Sequence, residues 1–310
     1  MAASCQPIVP AWPARHSVAM TTHTTEERYF DLGGDLRVAR MGFGAMRLPA
    51  STRGGPANDR ATVLGVLHRA VELGVNHLDT AAFYQQHELA ANELIRTALH
   101  PYPPGLVIAT KVGPSRGPGD PYPTGQLPAS GLRAEVERNL RELGRDQLDL
   151  VYLRPGGLDT PMEESIGERF SVLAELREEG LIRHLGLSHV GLTQVEEARA
   201  IAPVTAVQNR FDVTRPEDTD LLAVCERDGI GYAPYFPLGG FGIPDDERVT
   251  TVAARHGATV PQILLAGLLA LSPVMLAIPG TSSRVHLEEN MVAADLRLTA
   301  QDLSVLRSRP

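Results

Sequence analysis

The chain has 310 residues, 43% of them apolar and 21% charged, which suits one large core and excludes disordered, collagenous and disulfide-stapled classes. With 29 Lys and Arg against 37 Asp and Glu, the formal charge of −8 supplies no general attraction to nucleic acid or anionic lipid. The only cysteines, Cys5 and Cys225, stand far apart and fit reduced thiols in a cytoplasm.

Met1 to about Thr25 is rich in Pro, Ala, Ser and Thr, shows no periodicity and lacks the apolar centre of a signal peptide. Residues 1–25 are therefore expected to be an unpacked extension, with Met20 as a second candidate start, and 26–310 a single domain. Tyr29–Leu32 and Leu36–Val38 flank Gly33-Gly34 as a β-hairpin. Candidate strands follow at Met41–Ala45, Asn76–Asp79, Leu106–Lys111, Leu148–Arg154, Arg183–Ser188, Ala206–Asn209, Gly231–Tyr235 and Val274–Pro279. Helical patterns lie between or after them at Arg60–Leu73, Glu88–Leu99, Leu132–Leu143, Glu164–Glu179, Thr193–Ile201, Asp218–Arg227, Val260–Leu271 and Arg284–Val292. Ser130 is expected to cap one helix, and Gly74, Gly144, Gly180, Gly229 and Gly257 to terminate others. The apolar run Ile263–Leu271 is too short to cross a bilayer and reads as a buried helix.

Eight strands alternating with helices predict an α/β fold of the (β/α)8 TIM-barrel type, with an open doubly wound sheet as the second possibility. No phosphate-binding glycine motif accompanies the latter: Met41-Gly-Phe-Gly-Ala45 lacks the third glycine, and no P-loop occurs. In a barrel, catalytic groups project from the C-terminal strand ends. Asp79, Lys111 and Arg154 fall there, with Tyr84 in the loop after Asp79. A phenol is a poor acid near neutrality unless a cation favours its phenolate, and a lysine in a dry mouth keeps its proton best beside a carboxylate. Asp79, Lys111 and Tyr84 thus compose a proton relay suited to a carbonyl oxygen as hydride reaches its carbon. The ten histidines show no metal-ligand spacing, so no metal is expected. The stretch Gly113–Ser130 and the Gly156-Gly157 pair read as loops lining the mouth.

Seven phrases in order carry a resemblance: Asn76-His-Leu-Asp-Thr-Ala-Ala-Phe-Tyr84, Ala109-Thr-Lys111, Leu148-Asp-Leu-Val-Tyr-Leu153, Gly186-Leu-Ser188, Val207-Gln-Asn209, Pro237-Leu-Gly239, and Ile278–Ser283 with Glu289-Asn290. From about Tyr29 to its end the chain resembles the aldo-keto reductase superfamily. The resemblance implies a barrel with the hairpin across its bottom, binding NADPH (NADP+) without a Rossmann motif, NADH remaining open. It makes Asp79, Tyr84, Lys111 and Arg154 the catalytic set. Ser188, His189 and Gln208, with Asn209 nearby, would face the nicotinamide carboxamide, and Tyr235 would stack on its ring. Gly44, Ala45 and Met46, then Phe236, Pro237, Leu238 and Gly239, would line the cofactor and its pyrophosphate. Pro279, Gly280, Thr281, Ser282, Ser283 and His286 would receive the adenosine 2′-phosphate, and Glu289 and Asn290 the adenine.

Three departures accompany the match. Arg154 stands where most of the family has His and stays charged at any working pH. His189 replaces an Asn, and Gly280 and His286 replace a Lys and an Arg at the 2′-phosphate. Arg154, Tyr235–Phe241 and Ile278–Ser283 together are similar to a bacterial pyridoxal reductase branch. The expected activity is reduction of an aldehyde, best pyridoxal, to an alcohol; another aldehyde, ketone or sugar intermediate, or a nucleotide-sensing regulatory subunit, are the alternatives. The expected partner is a small-molecule carbonyl compound in the cytoplasm, with no nucleic acid and no membrane; oligomeric state is not legible.

Overall fold

The computed structural model describes residues 26–52, 54–115, 123, 125–156, 163–214, 218–240, 242–243 and 245–308. The expectations for residues 1–25, including Cys5 and Met20, for Gly157 and Phe241, and for much of the Gly113–Ser130 loop fall outside the described residues.

Tyr29 opens the hairpin as expected: β1 (Tyr29–Leu32) and β2 (Leu36–Ala39) pair antiparallel, Tyr29 opposite Ala39. The β/α alternation then runs through β3 (Phe43–Gly44), α1 (Arg60–Glu72) and β4 (His77–Asp79). A small hairpin, β5 (Gln85–Gln86) with β6 (Leu89–Ala90), precedes α2 (Ala91–Leu99) and β7 (Val107–Val112). A second, β8 (Pro114–Ser115) with β9 (Gly125–Gln126), precedes α3 (Ala129–Leu143) and β10 (Leu148–Leu153). The chain continues through α4 (Gly167–Glu178), β11 (Ile182–Ser188), α5 (Leu192–Arg199), β12 (Ala206–Gln208), α6 (Thr219–Asp228) and β13 (Gly231–Tyr232). Four helices, α7 (Glu247–His256), α8 (Val260–Leu271), α9 (Arg284–Val292) and α10 (Ala300–Arg307), end the described chain.

Seven parallel strands stand in the order β3-β4-β7-β10-β11-β12-β13. The eighth position belongs to residues 274–279, and here the expected strand Val274–Pro279 is corrected: it touches its neighbours at two separate bridges, Tyr232 with Met275 and Met41 with Ala277. Backbone bonds Leu276 N to Tyr232 O (2.8 Å), Gly42 N to Ala277 O (2.8 Å) and Gly44 N to Pro279 O (3.2 Å) close the circle on both sides. A closed parallel ring is the (β/α)8 barrel, and the open sheet is excluded. The closing segment ends at Pro279, which donates nothing to a ladder. Arg40 pins this seam, donating to the carbonyls of Met275 (3.2 Å), Leu269 (2.6 Å) and Ser272 (2.5 Å).

Leu32, Leu36 and Val38 of the hairpin pack against Val107, Ala109, Leu150, Tyr152 and Leu276, the inward-facing residues of the barrel, and so plug its bottom. Outward-facing residues such as Leu78, Ile108, Val151 and Leu185 join the helices in the larger cluster. Strands buried on both faces are continuously apolar for this reason.

Local signals set most helix ends. The Asp59 carboxylate accepts from Thr62 N at 2.8 Å to start α1, and Thr259 with Gln262 forms a capping box on α8. Gly74, Gly144, Gly180, Gly229 and Gly257 all adopt positive φ just past helices. Ser130 is corrected: α3 begins one residue earlier, after Pro128, so Ser130 lies within the first turn rather than capping it. The pattern Glu88–Leu99 is divided, its first residues forming β6 instead of helix.

Candidate active site

Successive strand residues face opposite sides. Asp79 and Lys111 accordingly point into the barrel mouth, while Thr80 and Thr110 point out toward the helices. Lys111 Nζ donates to both Asp79 oxygens at 2.7 Å and to the Thr80 carbonyl at 2.9 Å. These two side chains are 1% and 4% exposed, so the pair is a dry one. Gln208 Nε2 gives Asp79 a further bond at 2.7 Å.

Tyr84 stands over this pair, its ring centre 4.8 Å from Lys111 Nζ. Burial pushes its phenol above the usual tyrosine range; the charge and hydrogen-bonding approach of Lys111 pull it down, and Asp79 pushes it up. The net direction is upward. Lys111 therefore acts against desolvation and does not carry the phenol below its ordinary value. The group stays protonated at neutral pH, the state a proton donor requires.

Arg154 follows the last residue of β10, and its backbone N still reaches Val112 O at 2.9 Å. Its guanidinium donates to Ser188 Oγ at 3.1 Å and lies 4.9 Å above the Tyr235 ring. Burial raises the Tyr235 phenol, with Arg154 opposing. The Tyr235 hydroxyl and His189 Nδ1 are 2.8 Å apart. His189 holds a left-handed φ of 63°, a conformation an Asn takes with less strain.

These groups surround a cleft of about 480 Å³ at the C-terminal face. Asp79, Tyr84, Arg154, Tyr235 and Phe236 line it beside Gly44, Met46, Pro237 and Leu238. Pro279, Gly280, Thr281, Ser282, Ser283 and His286 line the end that leads into α9. Lys111, Ser188, His189 and Gln208 are buried just behind this surface and reach it through Asp79, Tyr84, Arg154 and Tyr235. Ala45, Gly239, Glu289 and Asn290 do not line it. Gly44 and Gly280 face each other so closely that a Cβ on Gly280 would meet the Gly44 carbonyl at 2.5 Å, so no side chain fits at 280.

Sequence reasoning missed Arg47, Ser51, Phe83 and Ile243, all of them in the lining. Arg47 and Ser51 continue the Gly44-Ala45-Met46 segment, which is the one signal available for them. Arg47 is partly buried and donates to the carbonyls of Ser51 and Gly240, the latter at 3.0 Å. Ser51 Oγ meets Ser282 Oγ at 2.7 Å, tying the same loop to the α9 end of the cleft. Among the described residues no cluster of His, Cys, Asp and Glu could hold a metal ion, and no helix is long and apolar enough to cross a membrane.

A family model described as the aldo/keto reductase family matches residues 40–308. Pyridoxine 4-dehydrogenase of Escherichia coli K12 is 45% identical over 275 residues, covering 88% of this chain and 95% of that protein. The crystal structure of a thermostable aldo-keto reductase with the inhibitor epalrestat is similar at a TM-score of 0.75 and 28% identity, covering 90% of this chain and 98% of that one. An aldo-keto reductase of Klebsiella pneumoniae in complex with NADPH gives 0.73 and 25%, covering 90% and 93%.

Proposed function

The chain belongs to the aldo/keto reductase family and is an oxidoreductase of that family, and from that premise we propose that it reduces a small aromatic aldehyde, best pyridoxal, to the primary alcohol with Tyr84 as proton donor. The observation that carries this reading is the buried relay: a protonated Tyr84 over a Lys111 ammonium that Asp79 and the Thr80 carbonyl hold in place. An ammonium so fixed stabilises the phenolate as the proton leaves, which lowers the barrier where charge develops.

A nicotinamide fits the residues present. Gln208 Oε1 is buried without a hydrogen-bond partner among the described residues; the Tyr152 phenol leans toward this amide, yet its hydroxyl completes no bond among them either. A carboxamide N–H would satisfy that acceptor, and Tyr235 offers a ring in the lining of the cleft. Bound there, a reduced nicotinamide supplies the hydride. We assign the adenosine 2′-phosphate to the end that leads into α9, where Thr281, Ser282 and Ser283 present hydroxyls at the helix start. Gly280 has no room for the cation found elsewhere in the family. Arg47, on the opposite wall with only carbonyl partners among the described residues, supplies a positive charge from another segment, which favours NADPH over NADH.

Arg154 sets substrate orientation in this reading. Pyridoxal carries an anionic ring oxygen at neutral pH, and a guanidinium held by Ser188 and Tyr235 pairs with it while the aldehyde oxygen meets Tyr84. Arg154→Met, assayed by NADPH oxidation, should lose far more activity with pyridoxal than with uncharged benzaldehyde. An equal loss on both removes the pairing role, and NADPH binding without oxidation across an aldehyde panel removes the activity itself.

A further inference from the structure

Behind the strand wall lies a group of buried polar residues that the reaction as described does not use. Thr80, Asn92, Thr110 and Asn139 are all at most 1% exposed, in a layer where neighbouring residues are apolar. Thr80 Oγ1 donates to Asn92 Oδ1 at 2.8 Å, Asn92 Nδ2 to Asn139 Oδ1 at 3.1 Å, and Thr110 Oγ1 to the same Asn139 oxygen at 2.6 Å. Asn139 Nδ2 is anchored on the Glu135 carbonyl at 2.9 Å, and Asn92 Nδ2 also reaches Glu142 at 2.9 Å.

The two threonines are the chain neighbours of Asp79 and Lys111. Thr80 accepts the Lys111 ammonium on its own carbonyl at 2.9 Å. The bonds therefore form a closed circuit through the barrel wall: from Lys111 Nζ to Thr80, outward to Asn92 on α2, across to Asn139 on α3, back to Thr110, and along one peptide bond to Lys111. Apolar side chains of similar volume would fill the same space without the cost of burying amides, so this polarity fixes a geometry and adds nothing that packing could not give.

We propose that Asn92 and Asn139 are positioning residues for catalysis, setting through Thr80 and Thr110 where the Lys111 ammonium stands relative to Tyr84. The inference rests on Tyr84 as proton donor. Loosening the circuit frees the Thr80 carbonyl to rotate, lets the ammonium drift from the phenol, and weakens the larger of the two charges, Lys111 and Arg154, that oppose the rise caused by burial.

Thr80→Val keeps the shape and deletes the donor. It should lower kcat for aldehyde reduction about tenfold, as small misplacements of catalytic groups do. KM for aldehyde and Kd for NADPH should stay within about twofold of the parent, since neither ligand touches the circuit. The alkaline limb of the kcat profile should move to higher pH, and Thr80→Ser, which restores a hydroxyl, should recover both kcat and profile. Asn139→Ala removes the oxygen that accepts from both Asn92 and Thr110 and so opens the circuit at a second point; it is read the same way and decides the matter should Thr80→Val fail to fold. A folded variant with parental kcat and pH profile overturns the proposal, as does an equal loss in Thr80→Ser, which would assign the effect to packing. Tyr84→Phe serves as the control: if it retains turnover, the underlying reading has failed, whereas an inactive Tyr84→Phe beside a fully active Thr80→Val removes the circuit alone.

Discussion

Both ends of the barrel carry a carboxylate in an ion pair, and the two pairs serve opposite purposes. At the bottom, Asp35 in the hairpin turn meets Arg183 at 2.8 Å and His184 at 2.6 Å, and its side chain is 48% exposed. Burial, slight as it is, would raise the Asp35 carboxyl; the bonds from Arg183 and His184 outweigh it and hold the group below the usual range. Exposed pairs of this kind contribute about 0–1 kcal/mol and weaken with salt. At the top, the Asp79–Lys111 pair is sealed from water at 2.7 Å, where desolvation offsets the Coulomb gain. The bottom pair orients a plug whose stability comes from Leu32, Leu36 and Val38. The top pair is a charge kept dry for chemistry, and stability alone does not account for it.

The comparison breaks most visibly on Lys111→Met, which leaves Asp79 buried with Gln208 alone. Unfolding in urea should show a loss of about 3–5 kcal/mol, the usual cost of an uncompensated buried charge. The double variant Asp79→Asn with Lys111→Met should regain most of that stability while staying inactive. An unchanged midpoint in the single variant would mean that water reaches the pair.

A second contrast lies one turn of the strand below Asp79. Burial lowers the pKa of His77 to about 4, with Asp79 pulling it up and Lys111 down, so the folded protein keeps this ring neutral. The unfolded chain takes up the proton near the ordinary value of 6.5, so the stability is fully present above that pH and is lost as pH falls toward 4. Between pH 7 and pH 5 this group alone should cost on the order of 2 kcal/mol. His77→Leu should flatten that part of the pH dependence; an identical slope in the variant would remove His77 as its source.

The smallest effect belongs to the bottom. Asp35→Asn should lower the unfolding free energy in urea by less than about 1 kcal/mol, and the difference should shrink in 1 M salt, where the Debye length is about 3 Å. A loss as large as that of Lys111→Met would erase the distinction between the two ends.

Much of this was legible before any coordinates. Helices α8 and α9 fall on the residues their patterns marked, each starting behind a side-chain cap, Thr259 and Ser283, that acts locally. Gly257 signalled a helix end whose helix, α7, went unrecognised: its first turns hold the β-branched run Val249-Thr250-Thr251-Val252, residue types that favour strands. Helix α10 and the two loop hairpins escaped for a similar reason, being short elements outside the β/α rhythm. That Asp79, Tyr84 and Lys111 come together was legible from their chemistry and spacing. Arg47 was not, since its place in the cleft depends on Gly240, 193 residues away, and tertiary contacts of that reach leave no periodic trace.

The Tyr84 hydroxyl is the group on which the proposed reaction depends. With purified Tyr84→Phe, NADPH binding followed by fluorescence should match the parent, while aldehyde reduction should fall by at least about 100-fold, the share expected of a positioned general acid. Parental turnover in that variant would contradict the account, because the phenyl ring preserves the packing and lacks only the proton.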